Sequence, residues 1–313
     1  MEIRKGVSMS SLLSKSRFKE LCTRLGKPQL SLSFGILFFM PLIEVHGQSV
    51  NLPSHFDVDV TVRQTPQGAQ LFINQHIVDG NDVYPLPVDY DTRHLLVPSV
   101  FGTPDAPVND IPHKTDDPGW LMSASDMLDD EILWFRALGE LRYWSPDTQS
   151  WETELTGGEQ VILYGGLPPG VLFGDPEELA FWQSGTQWSQ QGVEGPTESV
   201  IEYVNGGIHA HLDFCVKDSE GTCVSFTRRG RRLTGGISDT GNPQPGAYLI
   251  EMQMFSTAEV ESGVKKYRDS EPFFIIFRQG ISEEEFLLAQ QSLVSVPQIE
   301  TQPVPAAGIL IMN

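Results

Sequence analysis

The chain has 313 residues, 40% of them hydrophobic and 10% aromatic, enough for an ordinary core in one large domain or two small ones. Its formal charge of −20 excludes a surface built to hold nucleic acid or an anionic membrane. The 29 glycines and 22 prolines are spread along the chain, which favours many short elements joined by turns over long helices.

Residues 1–29 are polar and basic, and Leu30 to Ile43 is an almost unbroken apolar run closed by Val45-His46-Gly47. A basic region, an apolar region and a small-residue site read as a secretory signal peptide over 1–47. The apolar run is shorter than the roughly 20 residues a transmembrane helix needs. An uncleaved anchor is the alternative, and in either case residues 48–313 lie outside the cytoplasm, in the periplasm, on the cell surface or secreted. The first 47 residues hold seven basic and three acidic side chains. Without them 14 of the 21 basic and 38 of the 41 acidic residues remain, a net of −24. An exported domain this acidic suits solubility or cation binding.

Residues 55–63 alternate strictly, with Phe56, Val58, Val60 and Val62 on one face and His55, Asp57, Asp59 and Thr61 on the other. That pattern predicts a half-buried strand. Gln67-Gly68 turns it into a second strand, Gln70 to Ile77, and a short strand is expected near His94–Val97. Asp117-Pro118-Gly119-Trp120 marks a turn, and Ser123–Leu128 a helical turn. Asp130 to Tyr143 mixes strand and helix signals. Val161–Tyr164 and Val171–Phe173 read as short buried strands. Ser199–Val204 and Ile208–Phe214 read as a hairpin turning at Asn205-Gly206, and Ala247–Phe255 and Pro272–Phe277 as strong late strands. Ser282 with Glu285 forms a capping box that opens a helix over 282–293 with an apolar stripe of Phe286, Leu287 and Leu293. Residues 294–313 are a linker followed by a tail. Many short strands and one short C-terminal helix predict an all-β fold over 48–293, an antiparallel β-sandwich of jelly-roll or immunoglobulin-like type.

Beyond the signal segment only Cys215 and Cys223 remain. They flank VKDSEGT, a hairpin tip, and in an exported chain they predict a disulfide.

The segment Gly207-Ile208-His209-Ala210-His211-Leu212-Asp213-Phe214 carries the chemistry. Alternation along a strand puts His209, His211 and Asp213 on one face, about 6–7 Å apart per step. Imidazoles and a carboxylate suit a borderline cation such as zinc. His55, Asp57 and Asp59 repeat the arrangement, and if the two strands lie side by side the two sets close one site. His76, His94, His113, Asp116 and Asp117 are further candidates. The enzyme motifs that use such residues are missing. There is no His-Glu-x-x-His, no Gly-x-Ser-x-Gly, no cupin glutamate after the second histidine and too little βα pattern for a His-x-His barrel.

The early His55-x-Asp57 strand and the Gly207-x-His209-x-His211-x-Asp213-Phe214 strand come first in a set of motifs. The Gly246–Ile250, Asp269–Phe277 and Gly280–Glu284 blocks follow, with Asp117–Trp120 and Leu141–Trp144 between. Together they resemble a family of exported bacterial proteins that often end in a PEP-CTERM-type sorting tail, some regulated by the zinc-uptake repressor. The resemblance covers about residues 50–290. It implies a β-sandwich, a histidine-rich site and a role in zinc handling, with no established enzymatic activity. Pro303 to Ile311 is similar to the start of such a tail, but Met312-Asn313 follow where the family pattern has an apolar span and a basic cluster. The departure implies a soluble periplasmic or secreted form.

The expected function is a non-enzymatic, metal-binding protein of metal handling, with His55, His209, His211, Asp57 and Asp213 as the ligand set, zinc as the ion and no membrane contact beyond the signal segment. The rival is a carbohydrate- or matrix-binding module using Trp120, Trp134, Trp144, Trp151, Trp182 or Trp188 as a platform. A metal-dependent hydrolase is the third reading, and it would need an open coordination position and a general base.

Overall fold

A computed structural model describes residues 53, 55–88, 94–104, 112–152, 154–223 and 239–293. The predicted signal peptide over 1–47 and the predicted linker and tail over 294–313 lie outside the described residues.

In chain order the strands are β1 (Asp57–Thr65), β2 (Gly68–Asp79), β3 (Asp82–Pro85), β4 (Leu96–Val100), β5 (Lys114–Thr115) and β6 (Gly119–Met122). Then come β7 (Ile132–Ser145), β8 (Ser150–Glu152), β9 (Gln160–Tyr164), β10 (Thr186–Ser189), β11 (Gly192–Glu194) and β12 (Glu198–Tyr203). The last are β13 (Ile208–Ala210), β14 (Asp213–Lys217), β15 (Gly246–Ser256), β16 (Glu259–Glu261), β17 (Val264–Lys265) and β18 (Phe273–Gln279). Two short helices, α1 (Pro176–Gln183) and α2 (Glu283–Gln291), complete the described chain. The fold is all-β and sandwich-like, as the turn spacing predicts.

Three larger sheets share the core. The first runs β13-β6-β1-β2-β3, the second β11-β10-β9-β14-β5, and the third β12-β7-β15-β18-β4 with β8 beside β7. Most pairs are antiparallel, while β1 with β6 and β4 with β18 are parallel. Alternation decides which side chains go inward. Val58 and Val60 from the first sheet, Leu163 and Phe214 from the second, and Phe135, Tyr248 and Phe277 from the third meet in one apolar cluster. The third sheet is apolar on both faces because α2 covers the other one. Phe286, Ala289 and Leu293 pack there on Leu96, Trp144, Leu249, Phe274 and Ile276. The predicted capping box of α2 is formed, with Ser282 accepting from the Glu285 amide and the Glu285 carboxylate accepting from the Ser282 amide.

Four sequence expectations are corrected or settled. Asp130–Tyr143 belongs from Ile132 onward to a strand, β7. Val171–Phe173 is a single 3-10 turn, with Phe173 92% exposed, not a buried strand. A second helix, α1, precedes β10. Asp175 caps it by accepting from the Glu177 amide, and Pro176 occupies its first turn, where a missing N–H costs nothing. The Ser199–Val204/Ile208–Phe214 hairpin is not a ladder. β12 pairs with β7, and the second half breaks at His211-Leu212 into β13, which pairs with β6, and β14, which pairs with β9 and β5. The break moves the chain from the first sheet to the second. The β1–β2 hairpin forms as expected, Thr65 facing Gly68 across its turn.

Candidate metal centre

The centre forms on the outer face of the first sheet. Phe56, Val58 and Val60 point into the core, so Asp57 and Asp59 point the other way. β6 lies against β1 in parallel, with Asp57 opposite Gly119 and Asp59 opposite Leu121. β13 adds on the far side of β6, with His209 opposite Leu121 and Ala210 opposite Trp120. The two ligand-bearing segments are therefore separated by a whole strand and do not lie side by side.

They still meet, because the intervening residue is glycine. A Cβ on Gly119 would collide with Asp57 Oδ1 and His211 Cε1 and would lie 2.5 Å from His211 Nε2. The volume a side chain would fill is occupied by ligand atoms from both flanks. One donor atom from each of His55, Asp57, His209 and His211 lies within 4.8 Å of every other, close enough to hold one metal ion.

Among Asp57, His209 and His211 the distances fit a small ion. His211 Nε2 is 3.2 Å from Asp57 Oδ1, His209 Nε2 is 3.4 Å from Asp57 Oδ2, and the two Nε2 atoms are 3.4 Å apart. A tetrahedral ion with bonds of about 2.0–2.1 Å has ligand–ligand edges of about 3.3–3.4 Å. His55 stacks on His211 with ring centroids 4.5 Å apart.

The loop before β6 sets the tautomer of His211. His211 Nδ1–H donates to the Asp116 carbonyl over 2.9 Å, which leaves the Nε2 lone pair aimed at the centre. His55 Nδ1 faces Asp117 Oδ1 at 3.4 Å. The Phe56 amide donates to that same oxygen. Burial pushes the Asp117 carboxyl up to about 6, against the Phe56 hydrogen bond and the nearby His55 and His211.

Electrostatically the centre calls for a cation. Asp57 is buried, and its Oδ1 makes no hydrogen bond of good geometry despite the nearby imidazole. Burial works to lower the His211 pKa, but the Asp57 carboxylate and the Asp116 carbonyl outweigh it and push it up to about 9. Without a metal, a proton on His211 supplies the positive charge that Asp57 needs. A divalent ion supplies the same charge and takes the proton's place.

Asp213 does not join the group. The break after Ala210 carries it into β14, where its Oδ1 lies 2.7 Å from Lys114 Nζ, a side chain only 2% exposed. His76 stands 3.4 Å from Asp59 Oδ2, which also accepts from Asn74 Nδ2. His113 is buried against Thr240 Oγ1, and His94 lies against Phe274. The Cys215–Cys223 disulfide is present. None of the six tryptophans is exposed. Trp120, Trp144 and Trp188 are fully buried, and Trp134, Trp151 and Trp182 are partly covered. No helix among the described residues is long and apolar enough to cross a membrane.

The chain matches no family model, no characterised protein and no solved structure.

Proposed function

We propose that this is an exported, non-enzymatic zinc-binding β-sandwich protein of metal handling, acting in the periplasm, at the cell surface or in the medium. The observation that carries the reading is the convergence of His55, Asp57, His209 and His211 around Gly119. Three imidazoles and one carboxylate are a donor set of borderline softness, suited to zinc in preference to calcium or magnesium, which take oxygen ligands. Four protein groups lie close enough to fill the positions of a tetrahedral ion, as they would in a structural site, where a catalytic zinc keeps one position for water. That supports a binding role over hydrolysis. Three tryptophans are fully buried and three only partly accessible, which weighs against a carbohydrate platform.

Export rests on the basic and apolar order of residues 1–47 and on the disulfide, a cross-link that persists in oxidising compartments. The resemblance to exported proteins with PEP-CTERM-type tails agrees with both.

The test is the zinc content and zinc affinity of the purified chain beside a His209→Ala/His211→Ala variant. One ion per chain, lost in the variant, is the expected result. No zinc, or equal affinity in the two proteins, would overturn the reading.

A further inference from the structure

The four ligands fall into two unlike pairs. Asp57 and His211 form the floor, with side chains 11% and 21% exposed. Both are held in place. Asp57 sits within the β1 ladder, and His211 is pinned by the Asp116 carbonyl and seated against Gly119. His55 and His209 form the roof, with side chains 55% and 58% exposed. Their supports are slighter. His55 precedes the first residue of β1, and His209 is the central residue of a three-residue edge strand with a single ladder neighbour. An incoming donor atom can therefore reach an ion in this centre across the roof without any strand parting.

We propose that the centre is a transfer site, which hands its metal ion directly to an acceptor carrying its own nitrogen, sulfur or oxygen ligands. This rests on the zinc reading above and assigns that site its kind of partner. The exchange is stepwise. One acceptor–metal bond forms as the metal–imidazole bond to His209 or His55 breaks, and the second roof histidine then leaves in the same way. Each imidazole departs neutral with its lone pair, no electron changes hands, and the coordination number does not fall. Asp57 and His211 let go last, so the ion is never released as an aquated species. A centre walled in on all sides behaves differently, because its metal must escape before any acceptor can capture it.

The test uses the full chain loaded with one equivalent of zinc and mixed in stopped flow with a chromogenic pyridylazo chelator in excess. Direct transfer makes the observed rate proportional to chelator, about tenfold faster for a tenfold higher concentration, as for any bimolecular step. A rate independent of chelator concentration would overturn the proposal, because escape of the ion would then limit transfer. Equilibrium dialysis against zinc is run first. Failure to bind there removes the zinc reading and this proposal together, whereas stoichiometric binding followed by a concentration-independent rate removes only the transfer role.

Discussion

His211 and Asp57 face each other across Gly119, with Nε2 3.2 Å from Oδ1, although a full strand separates the backbones that carry them. The contact exists because the residue between them has no side chain. Gly119→Ala is therefore a ligand-free way to close the centre. Its backbone is not in the left-handed region, so alanine adds bulk and no backbone strain. The added methyl should cost the metal-free fold about 1–3 kcal/mol, as overpacking commonly does. Zinc affinity should fall by about 100-fold or more, at the upper end of what supporting residues around a metal contribute. Isothermal titration at a temperature where the variant is folded checks this, and an unchanged affinity would show that the ion does not sit in the Gly119 cradle.

Asp213→Asn separates two roles that the sequence pattern merges. The isosteric amide keeps the shape but withdraws a negative charge from the buried Lys114 ammonium. Breaking a buried pair from one side destabilises by about 3–5 kcal/mol, and the exposure of Asp213 places this case at the lower end. Denaturant unfolding should show that loss, while zinc stoichiometry remains that of the unchanged chain. Loss of the bound ion in a folded Asp213→Asn protein would return Asp213 to the ligand set.

The legible and illegible parts of the molecule differ in how far along the chain their causes lie. β1, β2 and α2 could be read because alternation and a capping box are local. The strand character of β7 was ambiguous, because its cause is burial between β12 and β15. α1 does carry a local signal, the helix start Asp175-Pro176-Glu177-Glu178, but its eight residues bury no side chain and so show no apolar stripe. Three histidines and one aspartate of the centre were legible as strand-face residues. The break at His211-Leu212 was not, since the alternation runs through it and neither glycine nor proline marks it. Gly119 could not be recognised as part of the site because its role depends on a parallel pairing between residues about sixty positions apart.

The disulfide should support the fold without supporting the metal. It closes a loop with a sequence separation of 8, and a loop of this size is worth about 2–3 kcal/mol through the unfolded chain. Cys215→Ala/Cys223→Ala should lose about that much in urea unfolding and keep its zinc. Cys215 is four residues beyond His211, but it belongs to β14, in a different sheet from the strands that carry Asp57 and His209. A variant that loses zinc while still folded would show that the disulfide also positions His211.

Glu131 makes the fold sensitive to acid. Burial works to raise its pKa, but hydrogen bonds from Lys266 Nζ and Tyr267 Oη, with a third from the Leu128 amide, outweigh it and hold the carboxyl below its ordinary value. A carboxylate whose pKa is lower in the folded than in the unfolded chain contributes stability above the unfolded value, about 4.3 for glutamate. That contribution is lost as pH falls through the folded value. Glu131→Gln keeps the size and removes the charge. The stability gap between the two proteins, measured by urea unfolding from pH 7 down to pH 3, should therefore be widest at neutral pH and narrow steadily below about pH 4.3. A gap that stays constant across this range would mean that Glu131 acts through packing, and that its ion pair with Lys266 adds nothing to the fold.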